Sequence, residues 1–325
     1  MFHMRSLIVP LLIAASALYG AEPKWIHATS PHFDLYTNES DGAAKSALQH
    51  FEAVRAYFLA STHSKDPGGQ SVRIVAFHSM GDYSKVRPAE FGDAKAFSSP
   101  GQPATIVAVG LKPEDYQHIF REYAQLVFDE YSPSLPYWLR AGFAELYSTL
   151  KPGDGSIKLG VQPSRDYHSS GIGNTDLTMM FALDRASLLA SRRKEGTDFY
   201  TDAPASSAVL GATNAAQTTA LQHSQSAMSQ DYEGALWMLT HMIMFQQDYR
   251  PKFGEFVATL GRGAPTANGF RDVYGRSLSQ VSDDLKIYAK LPSLNAAQLP
   301  FKYDKPPNPQ ITPASQQDVE NILKK

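Results

Sequence analysis

The chain has 325 residues, of which 43% are hydrophobic and 19% are charged, enough apolar material for one large domain or two small ones. Thirty Lys and Arg against 32 Asp and Glu give a formal net charge of −2, so the surplus of cations needed to bind nucleic acid is missing. Cysteine is absent, which excludes disulfides, thiolate catalysis, iron–sulfur clusters and every cysteine zinc site. Any metal would have to bind His, Asp and Glu.

Residues 1–21 have the three-part layout of a secretory signal peptide. A short head with Arg5 precedes an apolar run at 7–15, and small residues follow around Ala17 and Ala21. The apolar run is too short to span a bilayer as a helix, and no later segment is apolar enough to do so. The sequence therefore predicts a secreted or periplasmic protein without a membrane span after removal of the signal.

Residues 22–110 are predicted to form a small α/β sheet region. Alternating or β-branched runs bounded by turn residues predict four strands, at 25–29, 32–37, 72–77 and 105–109. Between the second and third strands, residues 43–59 have apolar side chains at helical spacing, and Asp41 is the expected N-cap.

From residue 111 to residue 291 the apolar spacing becomes helical. Five helices are expected, at 114–131, 136–150, 232–247, 251–260 and 278–291. Residues 203–230 are rich in Ala, Ser, Thr and Gln, and they are interpreted as a flexible insertion. Residues 292–325 are rich in proline and are predicted to wrap the surface or to be disordered.

Two neighbouring predicted helices are the most informative part of the sequence. They contain HIFREYAQLVFDEY (118–131) and LPYWLRAGFAELYSTL (135–150). This region has a helix, a short turn with two prolines and then W-L-x-x-G-F-A-E. It resembles the active-site region of gluzincin metallopeptidases, the peptidase MA-like group. The later segment DYEGALWMLTHMIMF (231–245) resembles the helix behind the site in that family.

The resemblance implies roles for particular residues. In the family, H-E-x-x-H on the first helix supplies two zinc ligands and a general base, and W-L-x-E-G-x-A-E supplies the third ligand and an acid that orients a ligand His. By this resemblance Glu122 is the relic of the general base and Glu145 of the orienting acid, while Arg121, Gln125 and Ala141 occupy the ligand positions. Arg is a cation, a Gln amide is a weak ligand and a methyl group is none, so the resemblance implies that zinc is lost and that no cofactor remains.

The resemblance and the change of spacing near Pro113 together predict an α+β, zincin-like (gluzincin) fold. The small sheet region at 22–110 is expected to pack as one layer on a mainly helical half. In gluzincins the edge strand of the sheet borders the substrate groove, and the strand at 105–109, just before the first motif helix, is expected to be that edge strand.

Two functions remain open. The first is a pseudopeptidase that has lost zinc and binds a peptide or a cell-envelope partner. The second is an active hydrolase with a rebuilt site of Glu122, Glu145 and His118, which lies four residues before Glu122 on the same helix face. The lost ligands favour the first function, because a zinc peptidase needs the metal to generate hydroxide at neutral pH.

Arg121 is expected to replace the metal physically. Its guanidinium is expected to lie beside Glu145, to neutralise that carboxylate and also to reach Glu122. Without the resemblance, Arg121 and Gln125, four residues apart, would indicate a solvent-facing helix stripe. His241, within an apolar helix, is expected to be an interior His with its hydrogen bonds satisfied.

Overall fold

The computed structural model describes residues 24–92, 94–99, 101–163, 175–182, 184–185 and 232–324. The signal peptide predicted at 1–21 and the insertion predicted at 203–230 lie outside these residues. The described part of the chain is a mixed α and β structure, in agreement with the predicted α+β class. None of the helices described is both long enough and apolar enough to cross a membrane.

Within the described residues, nine strands form two sheets. They are β1 (Trp25–Thr29), β2 (Phe33–Thr37), β3 (Val72–Phe77), β4 (Ala96–Ser99), β5 (Thr105–Val109), β6 (Lys151–Gly153), β7 (Ser156–Leu159), β8 (Ala297–Pro300) and β9 (Gln310–Ala314). The main sheet has the order β4-β5-β3-β2-β1-β9, in which β2, β3 and β5 run parallel and the other neighbours pair antiparallel. A small antiparallel sheet has the order β6-β7-β8.

Of the ten α-helices in the described residues, six were predicted from the apolar spacing and four were not. They are α1 (Asp41–Thr62), α2 (Met80–Val86), α3 (Tyr116–Tyr131), α4 (Tyr137–Ser148), α5 (Leu177–Ala182), α6 (Tyr232–Phe245), α7 (Phe253–Gly261), α8 (Thr266–Gly269, continued by a π-helical turn), α9 (Leu278–Tyr288) and α10 (Gln316–Leu323). All five helices predicted after residue 111 are present with ends within a few residues of the expected ones. The N-cap of α1 is Ser40 rather than Asp41, because the Ser40 hydroxyl accepts the Ala43 N–H at 3.2 Å.

The main sheet is covered on both faces, so the predicted two-layer arrangement is wrong. On β3, Ile74 and Ala76 belong to the main core with α1 and α3. Val75 and Phe77 point to the opposite face and pack in a second apolar cluster with Tyr83 of α2 and with α10. The continuous apolar run at 74–77 of β3 is the pattern of a strand that is buried on both faces.

The strand expected at the edge of the sheet lies inside it. β5 pairs with β3 on one side and with β4 on the other, and β4 is the terminal strand at that end of the described sheet. β4 has only four residues, Ala96–Ser99, and its AFSS sequence is too short to show a period. The helix α3 follows β5 directly and contacts both strands.

The proline-rich C-terminal region is part of the sheets, which corrects the expectation that it wraps the surface or is disordered. β8 pairs with β7 in the small sheet, and β9 pairs with β1 in the main sheet. Pro313 lies on β9, a terminal strand of the described sheet, where a missing N–H is tolerated. The Trp25 indole N–H then donates to Gln316 Oε1 at 2.7 Å and fixes α10 over the sheet.

Candidate functional site

The two motif helices pack against each other as the most extensively contacting helix pair of the described residues. The turn between them places Pro136 at the N-cap of α4, where a fixed φ starts the helix and no N–H is required. α3 is enclosed from Ile119 to Phe128, so that even Arg121, Glu122 and Gln125 are buried. A solvent-facing stripe at Arg121 and Gln125 is therefore wrong, because other elements cover that face of the helix.

Gly142 allows a third helix to approach this pair. A Cβ atom at Gly142 would lie 2.1 Å from Thr240 Oγ1 and 3.2 Å from the Leu236 carbonyl oxygen, both on α6. Only a residue without a side chain permits this approach of α4 to α6. The close packing brings the first turn of α6, with Glu233, to the α3–α4 pair.

Arg121 contacts carboxylates from three helices. Its Nη2 lies 2.9 Å from Glu122 Oε1 on α3, and its Nη1 lies 3.3 Å from Glu145 Oε1 on α4. The same Nη1 donates to Glu233 Oε1 on α6. The predicted contacts with Glu145 and Glu122 are thus present, whereas the contact with Glu233 was not predicted. We call these four residues the Arg121 cluster.

The second oxygen of Glu122 is held by the end strand of the sheet. The Ser98 hydroxyl of β4 donates to Glu122 Oε2 at 2.8 Å, and Arg185 Nη2 donates to Ser98 Oγ at 3.0 Å. Arg185 Nη2 also lies 4.0 Å from Glu122 Oε2. Ser98 and Arg185 were missed because nothing in their local sequence distinguishes them from surface residues.

Asp129 lies one turn after Gln125 and two turns after Glu122 on α3, and it accepts hydrogen bonds from the remaining donors of the site. Gln125 Nε2 donates to Asp129 Oδ1 at 2.7 Å, and Arg140 Nη1 donates to the same oxygen. Arg185 Nη1 lies 3.4 Å from Asp129 Oδ2. Gln125, which the resemblance assigns to the second zinc-ligand position, therefore serves as a hydrogen-bond donor to a carboxylate.

The remaining predicted positions do not complete a metal site. Ala141 is buried on α4, one turn before Glu145, and presents a methyl group. His118 is half-buried on α3, one turn before Glu122. Among the residues that the structure describes, no group of three or more His, Asp or Glu side chains is placed to hold a metal ion. The Arg121 guanidinium, which the resemblance assigns to the first ligand position, does not fit zinc, because it brings a cation of its own to the carboxylates there.

His241 is an interior His with satisfied hydrogen bonds, as expected. It is fully buried on α6, its Nδ1 lies 2.7 Å from the Tyr288 hydroxyl and its Nε2 lies 3.1 Å from the Gly160 carbonyl oxygen. Burial removes water from the charged ring and lowers the pKa of His241 to about 4, against the opposing effect of the backbone hydrogen bonds. His241 connects α6 to the end of β7 and to α9 as a neutral ring.

The site as a whole holds charges in fixed pairs. Both oxygens of Glu122 are engaged, and the side chains of Arg121, Glu122 and Glu145 are at most 7% exposed. Each of the two Glu122 oxygens thus already accepts a hydrogen bond from the protein. Through Arg121 the paired charges join α3, α4 and α6.

Comparison of the sequence with protein-family models and with curated proteins gives no match. The resemblance to gluzincins accordingly depends on the motif residues of α3 and α4. What the geometry adds is the set of contacts that Arg121, Glu122 and Glu145 make.

Proposed function

We propose that this protein is a non-catalytic relative of the gluzincin metallopeptidases, exported and zinc-free, that binds a peptide or a cell-envelope partner instead of cleaving it. One observation carries the proposal. A buried guanidinium, Arg121, lies at the position of the first zinc ligand and contacts Glu122, Glu145 and Glu233. It supplies a fixed positive charge where the family has the metal.

The order of elements supports a zincin-like fold. A mixed sheet with an antiparallel end strand, β4, precedes the first motif helix, and Ser98 of that strand contacts Glu122. The second motif helix follows directly, and α6 packs behind it at Gly142. This order agrees with the order that the resemblance implies for the two motif helices and the helix behind them, whereas the strand at the edge is β4 and not the expected strand at 105–109.

The state of the two retained acids supports loss of catalysis. In a zinc peptidase the general base must reach a metal-bound water, and the orienting acid must accept from a ligand His. Here Glu122 accepts from Arg121 and Ser98, and Glu145 faces the Arg121 guanidinium. The alternative hydrolase built on Glu122, Glu145 and His118 would need Glu122 to exchange these partners for substrate.

Metal analysis tests the proposal directly. Purified protein lacking residues 1–21 is dialysed against zinc, then against buffer, and its metal content is measured by elemental analysis. We expect far less than one zinc per chain, and stoichiometric zinc would contradict the proposal. Hydrolysis of fluorogenic peptides and esters by the parent, lost in Glu122→Gln, would favour the hydrolase instead.

Restoring the ligands tests the assignment of positions. The triple variant Arg121→His, Gln125→His, Ala141→Glu is expected to take up one zinc per chain. The matched control, Arg121→Asn, Gln125→Asn, Ala141→Gln, has side chains of similar size but no strong zinc ligand. Circular dichroism establishes that both variants are folded, and a folded triple variant that takes up no zinc would show that the motif positions are assigned wrongly.

A further inference from the structure

The charged network of the site is partly exposed at Asp129, Arg140 and Arg185, which we call the outer cluster, and at Glu233. The side chains of the outer cluster are 28%, 17% and 31% exposed and that of Glu233 is 30% exposed, whereas those of Arg121 and Glu145 are 6% and 4% exposed. A ligand that approaches from the side of the outer cluster therefore meets its arginines before the buried carboxylates of Glu122 and Glu145.

The outer cluster has more donors than its carboxylate needs. Two guanidinium groups, Arg140 and Arg185, share the single carboxylate of Asp129, and the Gln125 amide donates to it as well. The guanidinium closest to Asp129 is that of Arg140, and the Arg185 contact is longer, at 3.4 Å. Counted over Asp129, Arg140 and Arg185 alone, the outer cluster has one positive charge in excess, and Arg185 has Glu122 Oε2 as a second, more distant carboxylate at 4.0 Å.

Arg185 can leave its present partners without isolating any of them. Asp129 keeps Arg140 and Gln125, Ser98 keeps its hydrogen bond to Glu122, and Glu122 keeps Arg121. The opposite holds for Arg121, because its departure would leave buried carboxylates without their cation. Arg185 is therefore the guanidinium of this site that is free to exchange a partner.

We infer that Arg185 binds a carboxylate of an acidic peptide, so that it is the ligand-binding and specificity-determining residue of the site. This inference rests on the proposed function and names the class of ligand. A guanidinium offers two parallel N–H donors that match the two oxygens of a carboxylate. A phosphate would place a larger negative charge beside Asp129 and Glu122, so the singly charged carboxylate fits better.

The test selects ligands without assuming their sequence. A phage-displayed library of random seven-residue peptides is selected on the parent protein, and the enriched peptides are synthesised with a fluorophore. We expect one position to be occupied by Asp or Glu. Replacing that acid by its amide, or Arg185 by Gln, is expected to weaken binding about tenfold or more, because a charge-assisted hydrogen bond is lost.

Two further variants show that the effect belongs to Arg185. Arg185→Lys keeps the charge but not the two-donor geometry and is expected to give an intermediate affinity. Arg271→Gln removes an exposed Arg whose partner is its own neighbour, Asp272, and is expected to leave binding unchanged. Circular dichroism and the unfolding midpoint establish that each variant is folded.

Two results would overturn the inference and leave the pseudopeptidase proposal intact. The first is that the selected peptides show no preference for an acid. The second is that they bind Arg185→Gln as tightly as they bind the parent. Failure of the parent to select any peptide would also overturn it. The zinc measurement judges the pseudopeptidase proposal independently of these outcomes.

Discussion

Two regions of this molecule bury a glutamate, and they stabilise it by different means. On α1, Glu52 accepts from the Ser30 hydroxyl at 2.7 Å, from the His32 backbone N–H at 3.0 Å and from the His32 ring at 2.7 Å. On α4, Glu145 faces the guanidinium of Arg121. The first carboxylate is held by donors of one tight turn, and the second by a cation that also serves two other helices.

The difference shows what a fixed cation contributes. The donors of Glu52 lie together in the β1–β2 turn and are formed with the hairpin itself. Arg121 joins the consecutive helices α3 and α4 to α6, whose Glu233 lies 112 residues from Arg121 in the sequence. A metal ion does the same in a zinc site, because one charge attracts ligands from several elements. Each prediction below tests this contrast.

The largest effect is expected from Arg121→Ala. Removing the cation leaves Glu122, Glu145 and Glu233 close together and Glu122 and Glu145 buried, so we expect a loss of about 3–5 kcal/mol in the free energy of unfolding. Urea denaturation followed by circular dichroism measures it. The matched control Gln125→Ala should cost about 1 kcal/mol, since Asp129 keeps its two arginines. An Arg121→Ala variant as stable as the parent would refute the cluster's role.

The free energy of unfolding should depend on pH through His241, which is buried as a neutral ring, unlike the charged pairs of the Arg121 cluster. The pKa of His241 is lowered from 6.5 to about 4 in the folded protein, so protons bind the unfolded chain first as the pH falls. This residue should contribute a loss of about 3 kcal/mol of stability between pH 7 and pH 4, and the loss should begin near pH 6.5.

The measurement compares urea unfolding at several pH values in the parent and in His241→Gln, which does not titrate. The parent should lose stability more steeply below pH 6.5 than this variant. His63→Gln, at an exposed position after α1, serves as the control for replacing a histidine at the surface. Equal slopes in the parent and His241→Gln would contradict the assignment.

The Arg121 cluster also depends on the close approach of α4 and α6. Gly142→Ala introduces a Cβ 2.1 Å from Thr240 Oγ1, so we expect a loss of about 1–3 kcal/mol. Adding Thr240→Ala should recover part of that loss. The matched control is Gly254→Ala on α7, where no atom lies within 4 Å of the added Cβ and the change should be neutral or slightly stabilising.

The smallest effect is expected from Glu52→Gln. The amide keeps a carbonyl oxygen for Ser30 and the His32 backbone N–H, and its NH₂ group can donate to a neutral His32 ring. We expect a loss of about 1 kcal/mol in the free energy of unfolding. A loss as large as that of Arg121→Ala would remove the distinction between the two buried glutamates.

Local patterns in the sequence predict six of the ten described helices and four of the nine described strands, because apolar spacing directly reflects which face is buried. They do not predict β4 or β9, whose short or proline-containing sequences become strands only by pairing with β5 and β1. The Arg121–Glu145 contact was predicted because the motif positions imply it. The Arg121–Glu233 contact was not predicted, since Glu233 lies 112 residues from Arg121 and reaches it only through the packing of α6.

The adjacency of β9 and β1 sets the order of events when the chain is made. Trp25, near the start of the folded region, bonds to Gln316, 291 residues later. The main sheet of a nascent chain therefore cannot be completed until residues 310–314 have left the ribosome, and closing so long a loop is slow. Until β9 has been made, β1 is an unpaired edge able to pair with other chains, so synthesis passes through an aggregation-prone stage that ends only when β9 pairs with β1.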